Sequence, residues 1–84
     1  MKMVFLGKLA DLAGTGEHVI ATSERCDWPA LEGHIARVGG DALVEAVRAP
    51  GVKLAINGTL LADKRDLSAG EGDEVAFLPP VSGG

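Results

Sequence analysis

The segment GDEVAFLPPVSGG, Gly72 to Gly84, changes character twice within thirteen residues. Its first part, Glu74 to Leu78, is a strand: Val75 and Phe77 alternate with Ala76 and Leu78, and both faces are apolar. A strand that is apolar on both sides belongs in the middle of a sheet. The second part cannot continue one. Pro79 and Pro80 lack the N–H that a ladder needs and favour a stiff, extended path, so Val81 to Gly84 are carried away from the sheet. Four residues extend at most about 13 to 14 Å, enough to enter a cleft in another protein. Side chains of almost no size, Ser82, Gly83 and Gly84, suit a narrow channel.

The opening of the chain matches this strand. Met3 and Phe5 alternate with Val4 and Leu6, again apolar on both faces. The turn signal Gly14-Thr15-Gly16 then leads to EHVIAT, with Val19 and Ile20, giving an N-terminal hairpin. The period then changes: in DWPALEGHIARVGG, Leu31, Ile35 and Val38 recur at helical spacing, Pro29 suits a first turn, and Gly39-Gly40 end the helix. Asp41 caps a shorter second helix, ALVEAVR, that packs Leu43 and Val47 inward before APG stops it. VKLAI alternates toward Asn57-Gly58, the dipeptide favoured in a two-residue hairpin turn, and TLL returns. The polar connection ADKRDLSAGEGDE holds a helical turn at Asp66 to Ala69. Strands on both sides of one principal helix predict an α+β fold: a mixed sheet of four to five strands over one main helix plus a short second helix, the β-grasp arrangement. We expect one domain over residues 1–84, with 79–84 a projecting C-terminal tail. With the first and last strands adjacent at its centre, the chain's end leaves straight from the sheet, and the face turned away from the helix carries an apolar patch at the root of the tail.

The chain has 84 residues, 46% hydrophobic and 24% charged, the profile of a small globular protein with little room for an internal cavity. A net charge of −4, with eight Lys and Arg against twelve acids, disfavours nucleic acid and favours a protein partner with a basic surface. One cysteine, Cys26, fits a reducing compartment, and with no apolar leader or long apolar run we expect a cytoplasmic protein without a membrane partner. Cys26 has no histidine at a recognisable catalytic spacing, and His18 and His34 sit among ordinary strand and helix neighbours. The NGT at Asn57 is better explained as a hairpin turn than as a glycosylation acceptor. GTG and GEG are too short for phosphate loops, and DKRD is a solvated loop. No catalytic set remains. A carboxylate at the tip of a narrow arm is either a recognition handle or a group to be converted, and conversion requires activation.

The tail, the NG hairpin and GDEVAFLPPVSGG together resemble the small subunits of molybdopterin synthase, ubiquitin-like sulfur carriers of the MoaD/ThiS family. The resemblance covers the opening MVFLGKLADLAG, the central helix, VKLAINGTLL and the ending. It implies that Gly84 is adenylated by a ubiquitin-activating-like adenylyltransferase, which uses the ATP, and then thiocarboxylated with sulfur from a donor enzyme. The large subunit of the synthase, in a heterotetramer of two small and two large subunits, then receives the tail and passes the sulfur to a cyclic pyranopterin precursor. It further implies that the chain binds no cofactor or metal and is no enzyme by itself. By the same resemblance Gly83, Ser82 and Val81 line the partner's channel, Pro80, Pro79 and Leu78 mark the docking root, and Phe77 anchors the last strand. Two alternatives stay open: a carrier for thiamine, cysteine or tRNA thiolation, and a ubiquitin-like interaction module that is never modified.

Overall fold

A computed structural model describes residues 1–80; Val81, Ser82, Gly83 and Gly84 lie outside the described residues. Five strands form one mixed sheet in the order β2-β1-β5-β3-β4, where β1 is Lys2–Phe5, β2 Glu17–Val19, β3 Lys53–Ile56, β4 Thr59–Leu60 and β5 Glu74–Leu78. The two strands with apolar residues on both faces are indeed central neighbours: β1 and β5 run parallel, pairing Met3 with Val75 and Phe5 with Phe77. Antiparallel β2 and β3 flank them. Fully buried Phe5 and Phe77 stack with ring centroids 5.0 Å apart, and with Met3, Leu54 and Val75 they form the sheet side of the core. Such a pair supplies packing beyond its buried area.

The other side of the core is helix α2, Trp28–Arg48, which buries Leu31, Ile35, Leu43, Val44 and Val47. Asp27 caps it, accepting the Ala30 N–H at 3.0 Å, and Pro29 occupies the first turn, where its missing N–H costs nothing. The expected break between two helices falls at Gly40, whose φ of 69° and ψ of −165° lie outside the helical region. The span thus consists of the two predicted helices, a main one and a shorter one carrying Leu43 and Val47, joined at this break. A further short helix was not expected: α1, Lys8–Ala13, lies inside the N-terminal hairpin connection and packs Leu9 against the core.

Two further expectations shift. The helical turn predicted at Asp66 to Ala69 is a 3-10 turn at Lys64–Asp66, because Asp63 caps it by accepting the Arg65 N–H at 2.9 Å. Ala69 instead exchanges backbone hydrogen bonds with Cys26, joining the entry of α2 to the entry of β5. Lys64 reaches back to donate to the Val47 and Ala49 carbonyls at 2.7 and 2.6 Å, satisfying two of the orphan acceptors at the end of α2. Burial there holds its ammonium pKa below the usual lysine value. The NG hairpin forms as expected, with φ of 50° at Asn57 and 85° at Gly58.

Candidate functional site at the exit of the central strand

The start of β5 is pinned from several directions. Asn57 donates its side-chain amide to Asp73 at 3.0 Å and accepts the Glu74 N–H at 2.9 Å. Asp73 also accepts the Gly70 N–H at 2.9 Å, and Arg25 lies 3.6 Å away. The Asn57 hydrogen bond, followed by those from Gly70 and the nearby Arg25, holds the Asp73 carboxyl below its ordinary value. At its far end, β5 is gripped by core packing of Phe77 and by the Leu6 N–H, which donates to the Phe77 carbonyl at 3.3 Å. The strand that leads to the tail is therefore fixed at both ends.

Leu78, Pro79 and Pro80 follow directly. Leu78 and Pro79 are half-buried and Pro80 is exposed. Pro79 and Pro80 line an apolar hollow of about 540 Å³ with Leu9, Leu12, Ala49 and Val52, on the side of the sheet edge occupied by α1 and the end of α2. Of the predicted site residues, Leu78, Pro79 and Pro80 follow one another at the end of the central strand, Leu78 on the face opposite the helix and the prolines lining the hollow, while Val81, Ser82, Gly83 and Gly84 lie outside the described residues.

The sheet face opposite the helix follows from the strand registers. One row across it holds Leu60, Ala55, Ala76, Val4 and Glu17, and the row nearest the tail holds Lys53, Leu78 and Leu6. At the other end stand Glu74, Lys2 and Val19, with the Lys2 ammonium 2.7 Å from Glu17 and 3.7 Å from Glu74. The face carries an ion-paired cluster where β5 begins, and Leu78 and Leu6 beside one charge, Lys53, where it ends. Leu60 and Leu6 keep 59% and 42% of their surface exposed on this face. Leu60 was not among the residues singled out in the sequence. Its place in TLL after the NG turn, paired with Ala55, was the available signal.

The remaining candidates stay separate. Cys26 is buried, and burial raises its thiol pKa, which disfavours the reactive thiolate. His18 is exposed and His34 half-buried. Among the described residues no group of three or more His, Cys, Asp or Glu could hold a metal ion, and no helix is long and apolar enough to cross a membrane.

A five-stranded mixed sheet clasping one main helix, with its last strand central, defines a ubiquitin-like β-grasp protein. The ThiS family model matches residues 3–84, and the chain belongs to that family. It is 34% identical over 87 residues to the molybdopterin synthase sulfur carrier subunit of Escherichia coli, an alignment spanning 100% of this chain and 99% of that protein. Among solved structures it resembles molybdopterin converting factor, subunit 1, of Pyrococcus furiosus, with 25% identity, a TM-score of 0.73 and 95% of each chain covered. At the level of fold it also resembles SAMP1 of Haloferax volcanii, with 20% identity and a TM-score of 0.75 over 99% of this chain and 97% of that one.

Proposed function

We propose that the chain is the sulfur-carrying small subunit of a molybdopterin synthase and works in the cytoplasm. The observation that carries this reading is the placement of β5: a strand locked at the centre of the sheet whose continuation is two prolines and a narrow terminus, beside an open apolar face. Its 34% identity to the Escherichia coli sulfur carrier subunit supports the choice of pathway.

The chemistry takes place on the Gly84 carboxylate, a poor electrophile. Attack of its oxygen on the α-phosphorus of ATP, held by a ubiquitin-activating-like adenylyltransferase, gives an acyl-adenylate and releases pyrophosphate. The terminal sulfur of a donor enzyme's persulfide then displaces AMP to give an acyl disulfide, and attack of a thiol on the donor's sulfur breaks the S–S bond, forming a disulfide with the donor and releasing the thiocarboxylate, an acidic, soft nucleophile. The large subunit accepts the tail, and the sulfur adds to the cyclic pyranopterin precursor; water restores the carboxylate. Two such deliveries supply the two sulfurs of a dithiolene. This chain's own residues supply cargo and position: Gly84 bears the sulfur, Gly83, Ser82 and Val81 pass the partner's channel, and Leu78, Pro79 and Pro80 form the docking root. It binds no cofactor of its own, and it acts only as one subunit of a heteromeric sulfurtransferase.

The test is a mass measurement. Incubation with the activating enzyme, ATP and a sulfur donor is expected to add about 16 Da at Gly84, one oxygen replaced by sulfur. Absence of that gain with every activating enzyme tried would reject the carrier reading. Conversion of the pterin precursor by the thiocarboxylated protein with the large subunit then separates this pathway from other thiolation routes.

A further inference from the structure

We propose that Gly7 and Gly51 form a seat for Pro79 and Pro80 and thereby set the direction in which the terminal arm leaves the sheet, which makes both glycines positioning residues for the sulfur delivery proposed above, on which this inference rests.

The register places them. Phe5 pairs with Phe77 in the parallel ladder, so Gly7 is level with Pro79 two residues later. Lys53 pairs with Leu78 in the antiparallel one, so Gly51 is level with Pro80. At these positions the ladder cannot continue, because neither proline has an N–H to donate. Packing takes over from hydrogen bonding. A Cβ on Gly7 would stand 3.2 Å from Pro79 Cγ, and a Cβ on Gly51 would stand 2.8 Å from Pro80 Cβ and 3.4 Å from its Cγ. Two residues beyond the end of β1 and two before the start of β3, a missing side chain therefore leaves room for one proline ring. Any other residue on either side would push the arm.

The size of that push can be worked out for Gly51. Ordinary contact begins near 3.4 Å, so the 2.8 Å approach must open by about 0.6 Å. Pro80 Cβ belongs to a ring fused to the backbone and has no rotamer by which to escape, so the backbone moves. Over the roughly 3.8 Å between the two proline Cα atoms, that is a tilt of about 9° in the direction in which the chain leaves Pro80. Misplacement of a reacting group by about 1 Å can cost on the order of a hundredfold in rate.

Gly51→Ala is the cleaner variant, since Gly7 has φ of 56° and a side chain there would also strain the backbone. Gly33→Ala is the control: Gly33 lies in α2 with nothing within 4 Å of an added Cβ. Direction is read with a nitroxide on Ser82→Cys, Cys26 being buried, from paramagnetic broadening of the domain's amide signals. The expected result is a redistributed broadening pattern for Gly51→Ala with amide shifts unchanged away from the seat, and no change for Gly33→Ala. In the unlabelled proteins, kcat for thiocarboxylate formation should fall at least tenfold in Gly51→Ala with KM within twofold, a split that general loss of folded protein does not produce. An unchanged broadening pattern, or a kcat within twofold of wild type, would overturn the proposal. Failure of the wild-type chain to gain sulfur would instead count against the carrier reading, and the broadening pattern would still decide whether the seat exists.

Discussion

Leu60→Ala isolates the free sheet face from the core. Burying a whole leucine side chain is worth about 1.5 to 3 kcal/mol. Leu60 is 59% exposed, so a partner that covers the remainder gains about 1 to 2 kcal/mol from it, most of which truncation to alanine removes. That corresponds to about a tenfold rise in Kd for the large subunit and for the activating enzyme. The domain itself should lose little, since the side chain is already mostly in water. Val19 supplies the internal comparison: it shares the face and is more exposed, at 72%, but stands at the charged end beside Lys2, away from the tail. Calorimetric titration of each variant against each partner measures the effect directly. If Leu60→Ala and Leu6→Ala bind both partners within twofold of wild type, or if Val19→Ala weakens binding as much as they do, the apolar end of the face is not the docking surface.

Other perturbations separate cargo, core and strand entry. Removing Gly83 and Gly84 is expected to leave the urea unfolding midpoint unchanged while abolishing the 16 Da gain, read by mass spectrometry. Phe77→Ala, at a fully buried position stacked on Phe5, is expected to cost about 3 to 5 kcal/mol in urea unfolding, the most damaging of these changes to the fold. Asp73 has its pKa held below its ordinary 3.8, chiefly by the Asn57 hydrogen bond, so its contribution is present above pH 3.8 and lost as pH falls through the lower folded-state value. Asp73→Asn should therefore flatten the acid limb of stability below about pH 4 in urea titrations run from pH 2 to 6. Lys64→Met removes both hydrogen bonds to the end of α2 and should cost about 2 kcal/mol, measured in the same way.

How far the fold could be read from the chain depended on whether each element's cause was local. Two strands apolar on both faces had to be central, and the NG turn had to close a hairpin; both forms are present. The pair of glycines in α2 marked the break between two helices, since Gly40 adopts a positive φ that ends the first one. Helix α1 was not read because six residues are too short to nucleate a helix in isolation; KLADLA is helical because Leu9 packs into the core between sheet and α2. The 3-10 turn was placed too late because its cap, Asp63, lay in a run of charges that gave no preference. The terminal residues were the clearest part of the proposed site in sequence. Leu60 and the glycine seat were not, since each depends on a partner far along the chain.

The same division explains why a carrier needs so little chemistry of its own. On the function proposed above, the terminal group must reach pockets in two different proteins. What the domain can control is where the arm begins and what surface stands beside it. Asn57 and Asp73 fix the start of β5, Phe77 and Leu6 fix its end, and Gly7 and Gly51 face the prolines that follow. Each holds the strand or its exit. A substitution at any of them that leaves the domain folded should therefore act on both partners' reactions in the same direction, whereas a substitution on the free face can weaken one partner and spare the other. Measuring adenylation and sulfur delivery side by side for Gly51→Ala and Leu60→Ala distinguishes these two modes: parallel losses in kcat for the first, and changes confined to KM for the second.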